Sequence, residues 1–168
     1  MKERIERRLQ ITDLVVLGLT LAVTLMAAVA VYQQTAHHFA SERISYFTER
    51  FNRSEFVDVR ATVDAWLETG ESAESLFHRE GAKDPEAIRT IKNMRAFANF
   101  FQELAAAMKH ETLDKEYMWD VFGFLTQHYG EKLQPFIDQM RATRKRSTLY
   151  AEFYELVRTM KSIERKHK

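Results

Sequence analysis

The chain has 168 residues, 25 Lys and Arg against 24 Asp and Glu, 45% hydrophobic residues and no cysteine. The near-zero net charge argues against bulk electrostatic attraction to nucleic acid. The lack of cysteine excludes disulfides, thiolate metal sites and a cysteine nucleophile. Five glycines and two prolines fit long helices with few tight turns.

The N-terminal stretch, residues 1–10, is basic but mixed: Lys2, Arg4, Arg7 and Arg8 stand beside Glu3 and Glu6. From Leu14 to Tyr32 no charge interrupts an apolar run that includes Gly18, Ala22 and Met26. As a helix this run spans ~28 Å, about the hydrocarbon thickness of a bilayer. A transmembrane helix over residues 11–33 is therefore expected. The competing reading is a signal peptide, for which Ala28-Val29-Ala30 has the small-x-small form of a cleavage site. The run is longer than a usual signal core, which favours an uncleaved anchor. Four basic residues precede the run, whereas only Arg43 and Arg50 follow closely. The positive-inside rule then favours a cytoplasmic N-terminus and an exported domain. Gly18 and Ala22 form a small-x-x-x-small pair of the kind that lets membrane helices approach closely.

Nothing between Tyr32 and Asn52 breaks a helix, so residues 34–53 are expected to extend the anchor stiffly. Ile44, Phe47 and Phe51 share one face. Residues 54–168 then read as a helical bundle of about five to six helices. Ser54 is the expected N-cap of a helix ending at Gly70. A short helix from Ala73 to Arg79 is expected to close at Gly81. Asp84-Pro85-Glu86 combines a capping acid with proline at the first helical position. It opens a long helix ending near His110, with Ile91, Phe97, Phe101, Leu104 and Met108 as its stripe. Thr112 or Asp114 is expected to cap the next helix, Gly130 to end it, and Pro135 to sit in the first turn of its successor. The last helix is expected from about Ser147, with Leu149, Phe153, Leu156, Met160 and Ile163 as its seam. No alternating strand pattern occurs, so the class is all-α, with one N-terminal transmembrane helix continuing into an irregular bundle.

The order of these signals resembles a family of small bacterial membrane-anchored helical proteins classed as a domain of unknown function. The resemblance rests on FNRSEFVDVRATVDAWLE, then MRAFANFFQELAAAMKHETLDKEYMWDVFG, then PFIDQMRATRKRSTLYAEFYELV. Its motif positions would be Arg60; Asn99, Phe100, Phe101 and Glu103; Arg141 or Arg144; and Tyr150 with Phe153. The resemblance implies an anchor, a helical fold and a place in the bacterial inner membrane, but no activity.

Candidate chemistry is sparse. Six histidines occur, yet none are paired at the His-x-x-x-His spacing that puts two imidazoles on one helical face. No metal or cofactor is therefore expected. His37 and His38, just past the apolar run, could sense pH or touch headgroups. No nucleophile elbow or phosphate-cradling glycine loop is present, and no catalytic residue is assigned. Arg60, Arg95, Glu103, Arg141 and Glu152 border core positions and are read as register-fixing pairs. Arg144, Lys145 and Arg146 form a basic corner suited to anionic lipid or an acidic partner. Phe100, Trp119, Phe124 and Tyr154 are candidates for aromatics left over after the core is filled, hence a partner surface. The rival is a helix packed on two sides.

These features favour a non-enzymatic, single-pass membrane protein acting as an accessory or scaffold subunit, with membrane lipid and a protein partner or a second copy as its contacts. A membrane-anchored sensor or regulator of a stress or phage-related response is the second reading. A membrane-tethered hydrolase with an unrecognised site is the third.

Overall fold

The computed structural model describes the backbone of residues 2–110, 113 and 115–167, and the side chains of 16–35, 38–39, 41–110, 113 and 115–165. Seven α-helices occur, and no strand is found among the described residues. They are α1 (Lys2–Asn52), α2 (Ser54–Thr69), α3 (Ala73–Gly81), α4 (Pro85–Lys109), α5 (Lys115–Lys132), α6 (Gln134–Arg144) and α7 (Ala151–His167). The all-α class expected from the periodicity is what the chain adopts. It divides into two compact units, Met1–Ser41 and Glu42–Lys168.

In the first unit, Val16–Thr35 is long and apolar enough to cross a membrane, and none of it is buried against protein. Its threonine hydroxyls are satisfied locally. Thr20, Thr24 and Thr35 each donate their hydroxyl to the carbonyl four residues back, at 2.8 Å. No threonine hydroxyl proton of the span is left over, an arrangement compatible with an apolar solvent. The faces at Gly18 and Ala22 are open, and Met26 and Tyr32 are exposed. The side chains of Leu14 and His37 lie outside the described residues.

The second unit is held by a phenylalanine-rich core. α4 packs against α2, α3 and α7, and α5 against α7. Ile44, Phe47 and Phe51, from the end of α1, are buried in the same core. Phe101 stacks on Phe153 of α7 at 5.1 Å, and Phe56 of α2 stacks on Phe97 at 5.6 Å. Offset and edge contacts of this kind add to the energy of burial alone.

Local punctuation departs from the sequence reading in four places. Ser54 lies inside α2, and Arg53, in extended backbone, is the residue whose carbonyl accepts the first helical bonds. Ser72 caps α3 by accepting from the Ser75 amide at 3.1 Å. The helix runs through Gly81, and the left-handed residue is Lys83 at φ 63°. Gly130 does not end α5. It sits within the helix, where a methyl group would collide with the Val157 side chain of α7. Close helix approach, not helix termination, requires that glycine. α7 begins at Ala151, four residues after the expected start.

Other signals hold. Gly70 adopts the left-handed conformation at φ 67° and ends α2. Asp84 caps α4 by accepting from the Glu86 amide at 2.9 Å, with Pro85 in the first turn. Pro135 occupies the first turn of α6. Thr112 and Asp114, the expected caps of α5, lie outside the described residues.

Candidate functional site

Helix α4 carries the central part of the site because it is buried over more than one face. Phe97 and Phe101 point toward α2 and α7. Phe100, about 100° around the helix, meets Phe47 at 5.8 Å, Phe51 at 5.5 Å and Phe56 at 4.9 Å. It is fully buried. Its assignment to a partner surface is therefore corrected: the end of α1 covers it, and α4 is packed on two sides.

Tyr154 is corrected as well. It is half-buried, its ring lies under the Arg141 guanidinium at 4.7 Å, and its hydroxyl is enclosed without a hydrogen-bond partner. Burial pushes this phenol up to about 12. Trp119 is half-buried and leans on Gly123. Phe124 alone of the four stands out, 77% exposed, with its ring stacked on His128 at 5.7 Å. Trp119, Phe124, His128 and Gln127 line a shallow groove of about 370 Å³.

The expected register pairs form with different partners. Arg50, not Arg60, pairs with Glu103. Arg60 lies over the Phe51 ring at 4.9 Å. Beside it, Tyr129 donates its hydroxyl to Asp64 at 2.8 Å, tying α5 to α2. Burial, then that bond to a carboxylate, push the Tyr129 phenol well above its ordinary value. Glu152 accepts from Gln102 and pairs with Lys109 at 3.6 Å. Its carboxyl is held below the usual range, first by the Gln102 bond.

The connection between α6 and α7 has a defined backbone. Lys145, at φ 52°, follows α6 in the left-handed conformation. Its amide donates to Ala142, and the Arg146 amide donates to Arg141. These are the two bonds of a Schellman cap, here made with lysine where glycine is usual. Tyr150 is a second left-handed residue, at φ 59°. A non-glycine residue pays ~1–2 kcal/mol for that conformation, so the surroundings must hold it. They do: Arg141 Nε donates to the Leu149 carbonyl at 2.8 Å, and the buried Tyr150 hydroxyl donates to Asn99 Oδ1 at 2.9 Å.

This brings several positions of the sequence motif together. Asn99 of α4, Arg144 of α6 and Tyr150 line one cavity of about 380 Å³, joined by Arg95 and Arg146. Lys145 is exposed and is not part of its wall. Arg95, expected in a structural ion pair, instead lines this cavity with residues about fifty positions further along the chain, a proximity that no local spacing carries.

Residues 14–160 match the family described as Domain of unknown function (DUF4760). The chain belongs to that family. The match takes in the apolar segment as well as the helices through Met160, so the DUF4760 unit here is more than its bundle. No curated protein and no solved structure matches the chain. Within this DUF4760 chain the candidate sites are thus the uncovered apolar span, the Phe124 groove and the Arg95–Arg144–Arg146 cavity.

Proposed function

We propose that this DUF4760 protein is a non-enzymatic, single-pass membrane protein of a bacterial inner membrane, serving through its helical domain as an accessory or scaffold subunit. One observation carries the reading: Val16–Thr35 is apolar and wholly uncovered, while the remaining helices bury a core of their own. An uncovered apolar helix of that length is stable in lipid and a liability in water. The excess of basic residues before the span supports a cytoplasmic N-terminus. Phe124 supports a protein contact, because a largely exposed aromatic beside a half-buried tryptophan suits an interface anchor.

The test is native mass measurement and size-exclusion of the full chain in mild detergent, beside Phe124→Ser. The reading expects a stoichiometric complex, with a second protein or a second copy, that Phe124→Ser weakens. A wild-type monomer without a partner contradicts it.

A regulatory reading is favoured by a separate observation, the cationic cavity.

A further inference from the structure

The cavity between α4 and the α6–α7 connection is basic without an acidic counterpart. Arg95 of α4, Arg144 at the end of α6 and Arg146 of the α6–α7 connection line it, and no Asp or Glu does. Elsewhere some arginines are paired, Arg50 with Glu103, Arg53 with Glu49, Arg79 with Glu71 and Asp84, and Arg141 with Asp138, and others, such as Arg89 and Arg158, are not paired among the described residues. Among the described residues, the side chains of Arg95, Arg144 and Arg146 make no ion pair or hydrogen bond. All three arginines are exposed at this hollow. Three guanidinium side chains lining one hollow with no carboxylate among them make an arrangement suited to an anion.

The polar residues of the cavity fit the same ligand. Tyr150 is 5% exposed, and its hydroxyl occupies Asn99 Oδ1 at 2.9 Å. The amide nitrogen of Asn99 is thereby left as a neutral donor. Arg95 and Arg144 both act on the Tyr150 phenol, drawing it down against the larger upward push of burial. The Schellman bonds and the Arg141–Leu149 bond fix the backbone that presents Arg144 and Arg146.

We propose that this cavity binds a phosphate oxyanion, with Arg95, Arg144 and Arg146 as charged donors and Asn99 as a neutral one. A carboxylate has two oxygens and one charge, which a single bidentate arginine satisfies. Three guanidinium groups suit a phosphate monoester or diphosphate, with more oxygens and about two charges. The volume of about 380 Å³ admits a small phosphorylated molecule or a lipid headgroup.

Two arms separate those sources. In one, inorganic phosphate and pyrophosphate are titrated calorimetrically into the full chain in uncharged detergent, at ionic strength held constant with chloride. In the other, the full chain in mixed micelles with phosphatidic acid or phosphatidylcholine is scored for one-to-one lipid adducts by native mass spectrometry. Saturable binding is expected in at least one arm. The double variant Arg144→Gln/Arg146→Gln should lose affinity there by at least about tenfold, or ~1.4 kcal/mol. Arg95→Gln should also weaken binding. Arg158→Gln, an exposed change outside the cavity, should bind as wild type does. Binding only of phosphatidic acid assigns the site to a headgroup, and binding only of the inorganic anions to a soluble ligand. No saturable binding in either arm overturns the proposal. So does equal affinity in the double variant and Arg158→Gln, with thermal melts verifying that each variant is folded.

Discussion

The two units of this chain use apolar residues in opposite ways. Val16–Thr35 is uncharged and predominantly apolar, and buries none of its surface. From residue 44 onward, most large apolar residues lie on faces that other helices cover, Phe124 being the clearest exception, and Phe97, Phe100, Phe101, Phe122, Phe136 and Phe153 are fully buried. A helix that is hydrophobic all round needs either a large protein core or lipid. No described residue provides such a core for the span. On the function proposed above, the same residue type stabilises one unit through packing and would stabilise the other through its choice of solvent.

That contrast breaks most sharply at Phe100. Replacing it with alanine removes a ring that three aromatics from α1 and α2 surround. Phe100→Ala should lower the unfolding free energy of the helical domain by ~3–5 kcal/mol, read by denaturant titration. Leu21→Ala, within the span, should leave that midpoint where it was. A comparable loss from both would mean that the span is part of the core after all.

A charge tests the other side of the comparison. Leu25 is 66% exposed at the middle of the apolar segment. Leu25→Arg should impair membrane insertion by ~2.5–3.5 kcal/mol. The expected readout is a shift of the chain out of the membrane fraction. An unchanged distribution would remove lipid as the solvent of this helix.

Packing precision in the second unit is tested at Gly130. A methyl group there meets Val157, so Gly130→Ala should destabilise the domain by ~1–3 kcal/mol. Adding Val157→Ala should recover part of that loss, because the two positions share one gap. Strict additivity in thermal melts would show that the helices can shift apart.

The smallest effect concerns acid. Asp84 caps α4 and receives the Arg79 guanidinium at 2.7 Å, and these two bonds hold its carboxyl below the usual range, the Arg79 bond first. Its folded-state pKa lies below the unfolded one. Its contribution is therefore present above the unfolded value and is lost as pH falls through the folded value. The group is exposed, so the change is modest. Arg79→Gln should flatten the decline in thermal midpoint between neutral and acidic pH. An identical slope in both proteins would remove Arg79 from the account.

Much of the architecture was legible because it is local. The apolar run, the Asp84-Pro85 start, the Gly70 stop and the seam of α7 depend on residues near one another. Phe100 was misread because periodicity locates one face of a helix and says nothing about a second one covered from afar. Gly130 was misread because a glycine suits both a helix end and a close approach, and only the position of Val157 decides between them. The Arg95, Arg144 and Arg146 cavity escaped for the same reason. Its walls meet only after α4 and α7 pack through Phe101 and Phe153. Arg144 and Arg146 were visible as a basic corner, but the arginine facing them was not.

The central claim is that residues 16–35 reside in lipid as an attached part of the protein. Alkaline carbonate extraction of membranes bearing the full chain, followed by intact-mass measurement, tests it most directly. The account predicts retention in the pellet at the mass of the uncut sequence. Release into the supernatant, or a mass showing cleavage after Ala30, would contradict it.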